Sequence, residues 1–133
     1  MSKINSLLDM LRTTITPDDV IMTMLSTIKA NTLTKDLTKF HRSIFLLKND
    51  ADFSELLRDF EFTTKGLSPV SDLLESVLFR LEVASILPTK NPTYEFYDIS
   101  DTKSILARNI SKFSNVQQSL ISRMGERFET LMN

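Results

Sequence analysis

Few side chains in this sequence are of the types that perform catalysis or bind metal ions. The chain has a single histidine, His41, and no cysteine, so a general base has no thiol to activate and a zinc site has neither a second imidazole nor a thiolate. Four oxygen-bearing residues match positions of a calcium-binding loop: Asp50, Asp52, Ser54 and Glu61. The position that requires glycine for the sharp turn of that loop is Glu55. We therefore expect no metal site.

The two glycines of the chain, Gly66 and Gly125, stand alone. A phosphate-binding loop needs several glycines close together, and a nucleophile elbow needs glycines on both sides of a serine. The sequence therefore predicts that the protein is not an enzyme and has no cofactor.

Charge and composition narrow the class of partner and the location. The net charge is −1, so the chain as a whole has no electrostatic attraction to nucleic acid or to an anionic membrane. Residues 68–100 are locally acidic, with two positive and five negative charges. The absence of cysteine fits a reducing compartment, and the apolar runs are too short for a membrane span or a signal peptide. We expect a cytoplasmic protein with no membrane partner.

Hydrophobic residues at helical spacing, together with capping residues, predict a mainly helical chain. The predicted order is helices at 1–12, 17–30 and 34–48, a short helix after Asp52, a strand at 60–63, a helix at 68–84, a β-hairpin made by 86–87 and 94–99, and helices from Asp101 and from Ser114. The last helix is predicted to bury one stripe: Val116, Leu120, Met124, Phe128 and Leu131. The helix from Asp101 is predicted to bury Ile105, Leu106 and Ile110.

The segment from Thr34 to Ile99 resembles a winged-helix domain of the kind found in bacterial and archaeal regulators. The residues that carry the resemblance are KGLSPVSDLLESVLFRLEVASILPTKNPTYEFYDIS. It implies a mainly α fold with a winged-helix-like core at 34–99: three helices, a short strand and a β-hairpin wing. Extra helices at 1–33 and 100–133 complete a single domain of residues 1–133, and by analogy with such regulators these terminal helices form a homodimer.

The resemblance also implies a function, that of a homodimeric transcriptional regulator that binds duplex DNA. The helix at 68–84 is then the recognition helix, which lies in the major groove. The residues expected to contact nucleic acid belong to this helix, its preceding loop and the tip of the wing: Lys65, Ser68, Ser71, Arg80, Lys90, Asn91 and Thr93.

The same helix also supports an alternative function. Its exposed face is predicted to carry Asp72, Glu75, Phe79 and Glu82. Three carboxylates repel phosphate, whereas an aromatic side chain on an outer face is typical of an anchor for a protein partner. The alternative is therefore a protein–protein interaction adaptor that uses the face around Phe79 and does not bind DNA.

Overall fold

A computed structural model of the chain describes residues 14–64, 66, 68–89 and 95–133. The described residues form helices, two short strands and a 3₁₀ helix: α1 (Pro17–Thr27), β1 (Thr32–Thr34), α2 (Leu37–Lys48), α3 (Asp72–Val83), β2 (Phe96–Asp98), α4 (Lys103–Leu106), the 3₁₀ helix Ile110–Lys112, and α5 (Asn115–Met132). The fold is mainly α, as the sequence predicts. The helix predicted at 1–12 lies outside the described residues.

Helix α1 is the central helix of the fold. Thr16 caps its first turn: the Thr16 hydroxyl accepts from the Asp19 amide (3.2 Å), and the Asp19 carboxylate accepts from the Thr16 amide (3.0 Å). Pro17 occupies the first turn, where its missing N–H leaves no bond unmade. The six consecutive residues 20–25 are all buried, so α1 has no solvent face in its middle and must be covered on all sides.

Helix α5 provides much of that cover by packing against α1 and α2. It begins with the predicted capping box, in which the Ser114 hydroxyl accepts from the Gln117 amide and the Gln117 side chain accepts from the Ser114 amide. The two helices approach closely at Gly125, where an added Cβ would lie 2.1 Å from the Thr27 hydroxyl oxygen. A residue without a side chain is therefore needed at this crossing.

The buried stripe of α5 differs from the predicted one. Val116 is 71% exposed, and Leu120 and Leu131 are only partly buried. The residues that face the core are Ile121, Met124, Gly125, Phe128 and Met132. Met124 and Phe128 are confirmed as core residues, but Ile121 and Met132 are buried in place of Leu120 and Leu131, because the helix is turned so that Gly125 faces α1.

The two strands pair antiparallel, with Leu33 opposite Tyr97. The predicted hairpin paired residues 94–99 with Ile86 and Leu87, and this pairing is wrong. Ile86 and Leu87 instead lie buried where α3 ends, and their amides both donate to the carbonyl of Leu81. Among the described residues that precede β2, Thr89 forms a bridge with Tyr97, and the Pro88 carbonyl accepts from the Asp98 amide at 2.8 Å.

The link between α2 and α3 also differs from the prediction. Residues 51–59 form hydrogen-bonded turns rather than a regular helix, although Phe53 and Leu57 are buried as expected. The predicted strand at 60–63 is reduced to one antiparallel bridge between Thr63 and Val70. A segment of four residues that has no neighbouring strand to pair with does not form a stable strand.

The helix predicted from Asp101 is shorter than expected. Only Lys103–Leu106 is α-helical, and of the three residues predicted to lie inside, Leu106 is buried while Ile105 and Ile110 are exposed. Within the described part of the chain, no helix is long and apolar enough to cross a membrane.

Candidate functional site

A buried histidine fixes the start of helix α3 against α2. The His41 side chain is 3% exposed, and its Nδ1 accepts a hydrogen bond from the Ser71 amide (3.0 Å). Because Nδ1 is an acceptor, the ring proton must be on Nε2, which donates to the Glu75 carboxylate at 3.2 Å. The Ser71 hydroxyl caps the helix by accepting from the Leu74 amide (3.2 Å). The orientation of α3 is therefore set at its first turn.

These three side chains are not arranged as a hydrolytic triad. The Ser71 side chain is fully buried and its hydroxyl contacts the Leu74 amide, while His41 contacts the backbone of Ser71 rather than the hydroxyl. A nucleophile must share a hydrogen bond with its base. Among the described residues, no three Asp, Glu or His side chains are grouped so that they could hold a metal ion.

The outer side of α3 presents two large apolar side chains to solvent. Phe79 is 67% exposed and Val83 is 68% exposed. They lie four residues apart and so are neighbours on the helix surface. The opposite side of the helix packs into the core through Leu74, Val77, Leu78 and Leu81. Exposure at Phe79 is therefore not an effect of poor packing of the helix as a whole.

A groove of ≈ 340 Å³ runs beside Phe79. Its walls come from α3, from the start of α2 and from β2, and its lining residues are Lys35, Leu37, Glu75, Leu78, Phe79, Glu82 and Tyr97. Leu37, which the helical pattern places on the inner face of its helix, is in fact exposed in this groove. The groove therefore has an apolar floor and carboxylates along one wall.

Glu82 is the centre of the polar contacts in this groove. Its carboxylate accepts from Lys35 Nζ (2.8 Å) and from the Tyr97 hydroxyl (3.4 Å). Burial and the nearby Glu82 charge raise the pKa of Tyr97 to about 12, so the phenol keeps its proton and donates throughout the neutral range. These contacts hold the α3 side of the groove to the sheet side.

Three of the seven residues predicted to contact nucleic acid lie among the described residues: Ser68, Ser71 and Arg80. Arg80 is bound by Asp18 through two hydrogen bonds, Nη2 to Oδ1 (2.6 Å) and Nε to Oδ2 (3.1 Å), and this pair raises the pKa of the guanidinium. Ser68 is partly buried, and Ser71 is occupied by its capping role. The remaining four, Lys65, Lys90, Asn91 and Thr93, lie outside the described residues.

The alternative set, predicted as a partner-binding face, lies on α3. Glu75, Phe79 and Glu82 line the groove, and Asp72 is exposed in the first turn. Sequence reasoning missed Val83, which the spacing of four from Phe79 could have indicated. It also missed Lys35, Leu37 and Tyr97, which come from the connection after β1, the start of α2 and β2.

Comparison with known proteins adds no relative. No family model, curated protein or solved structure matches this chain.

Proposed function

We propose that this chain is a non-enzymatic protein-binding module in which the outer face of α3 contacts a partner protein. The observation that carries the proposal is the pair Phe79 and Val83, each about two-thirds exposed and adjacent on one helix. Full burial of a side chain of this size contributes roughly 1.5–3 kcal/mol. An aromatic anchor ringed by polar groups has the composition of an interface hot spot.

The proposal includes a winged-helix-like arrangement of the core, with boundaries that differ from 34–99. Its support is the order α1, β1, α2, α3, β2, in which α1 takes the place of the first helix. β2 pairs with β1 on one side and contacts Thr89 on the other, so a short third strand at Thr89 would complete the wing. In this arrangement α3 takes the place of the recognition helix.

The second candidate is the one implied by the winged-helix resemblance, a cytoplasmic homodimeric regulator that binds DNA. The same order of elements favours it. The charges of α3 disfavour it, because Asp72 and Glu75 are exposed and would approach phosphates, and Glu82 lies in the adjacent groove. The terminal helices were expected to form the dimer, and the apolar side of α5 is already packed on α1 and α2.

A photo-crosslinking experiment tests the first candidate. The protein carries p-benzoylphenylalanine in place of either Phe79 or Val116, which is equally exposed at 71% but lies on α5. A protein captured from source-cell lysate at position 79 and not at 116 is purified and titrated against the unmodified chain. We expect Phe79→Ala to weaken that binding at least about tenfold and Val116→Ala to leave it unchanged.

Two results would contradict the proposal. One is a captured protein that binds Phe79→Ala as tightly as the unmodified chain. The other is tight binding to duplex DNA at about 50 mM salt that weakens steeply as salt is raised, which would establish the regulator instead. Light scattering of the same sample tests the predicted homodimer separately.

A further inference from the structure

The outer face of α3 around Phe79 and Val83, here called the α3 face, indicates which kind of protein segment binds there. Resting on the proposed function, we infer that the segment bound there is an amphipathic helix whose apolar stripe is flanked by lysine or arginine. Three properties of the face favour such a partner: its shape, the hydrogen bonding of its backbone and the sign of its charge.

The shape of the face fits another helix. Phe79 and Val83 form a ridge along α3, with the groove that contains Leu37 running beside it. Ridges formed by residues four apart pack into the grooves of a second helix, and α3, with 12 residues, is about 18 Å long. Three turns of a partner helix can therefore lie against it.

The backbone of α3 also favours a helical partner over an extended one. The amides of a helix are bonded within the helix, and at the N-terminus Ser71 caps the Leu74 amide while His41 accepts from the Ser71 amide. An extended segment bound by β-augmentation needs unpaired backbone groups on its host. A helix forms its backbone hydrogen bonds internally and contacts the host through side chains alone. The α3 face likewise offers side chains for contact.

The charge of the face selects basic flanks. Four carboxylates lie on or beside it, those of Asp18, Asp72, Glu75 and Glu82. Lys35 neutralises Glu82 and Arg80 neutralises Asp18, so the negative charge that the face keeps is that of Asp72 and Glu75. A second copy of this chain, related by a two-fold axis, would set these carboxylates against themselves. A partner with lysine or arginine beside its apolar stripe would instead complement them.

Two synthetic 18-residue peptides test the inference against the whole chain. Both carry leucine at every third or fourth position, and the flanking positions are lysine in one and glutamate in the other. Binding is followed by amide chemical shifts in NMR titrations. We expect the lysine peptide to bind at least about tenfold more tightly than the glutamate peptide, with shifts at Phe79, Val83 and Leu37 and none at Val116.

Variants separate the two contributions. Asp72→Asn with Glu75→Gln removes two charges while the glutamine oxygen still accepts from His41, and it should weaken the lysine peptide roughly three- to tenfold at low salt. Phe79→Ala should weaken it at both low and high salt. If both peptides bind equally, or if neither binds, this inference is overturned. A partner captured through Phe79 would nevertheless leave the proposed function standing.

Discussion

At the crossing of α5 over α1, the sign of the effect of Gly125→Ala on stability should depend on one hydroxyl group, that of Thr27. Gly125 is helical, so alanine is compatible with its backbone, and in an open helix the change from glycine to alanine stabilises by about 0.5–1 kcal/mol. Here the new Cβ would lie 2.1 Å from Thr27 Oγ1 and 3.2 Å from the Met24 carbonyl oxygen. The Thr27 hydroxyl is held in place because it donates to that carbonyl at 2.7 Å.

The magnitude follows from these opposing effects. Moving the Thr27 hydroxyl or separating the helices is overpacking, which costs about 1–3 kcal/mol. After the gain in helix propensity, Gly125→Ala should lower the free energy of unfolding by about 1–2 kcal/mol. In a Thr27→Ala background the hydroxyl is gone, so the same substitution should be neutral or stabilising by up to about 0.5 kcal/mol.

Urea unfolding of the four proteins in this cycle measures the two effects of Gly125→Ala and their difference, the coupling energy. We expect a coupling of about 1–2 kcal/mol, which corresponds to roughly 3–8 °C in melting temperature. Equal destabilisation in both backgrounds would show that the Met24 carbonyl, not Thr27, limits the approach. Stabilisation in the unmodified background would refute the close crossing itself.

Substitutions at three further positions have defined outcomes. His41→Ala leaves the buried Ser71 amide without an acceptor and should lower the free energy of unfolding by about 1–3 kcal/mol, whereas His41→Asn, whose Oδ1 stands at the position of Nδ1, should cost less in urea unfolding. Burial acts to raise the pKa of Asp19, but hydrogen bonds from the Thr16 amide and Lys112 outweigh this effect, and the pKa is lowered. The stability that the Asp19 carboxylate contributes should therefore be complete above about pH 4 and be lost as the pH falls below that value. Asp19→Asn should reduce this pH dependence. Phe79→Ala should leave the melting temperature within about 2 °C of the unmodified value, because the side chain is exposed, and a large drop in a thermal scan would mean that Phe79 belongs to the core.

The elements that sequence could predict are those determined by neighbouring residues. Thr16 and Ser114 cap their helices through residues three positions away, so their capping boxes are visible as local patterns. β1 has three residues and pairs with β2 more than 60 positions later, so no local window contains the reason for it. The phase of α5 depends likewise on the contact of Gly125 with Thr27.

The candidate site also has one part that could be predicted from local sequence and one part that could not. The α3 wall, with Glu75, Phe79 and Glu82, follows from helical spacing within one segment. The opposite wall is formed by Lys35 after β1, Leu37 at the start of α2 and Tyr97 in β2, and only the tertiary fold brings these residues across from α3. The sequence therefore predicts an acidic aromatic face but not the groove that gives it a shape.

The two ion pairs of α3 bear on both candidate functions at once. Arg80 is the only arginine of the helix, and a guanine contact would require its guanidinium fork to leave Asp18, to which it already makes two hydrogen bonds. Lys35 would have to leave Glu82 before it could neutralise a phosphate. A protein partner needs neither release, because it gains from burying Phe79 and Val83 while both ion pairs remain intact. The present arrangement of α3 thus suits an apolar contact with a basic border better than a nucleic-acid groove.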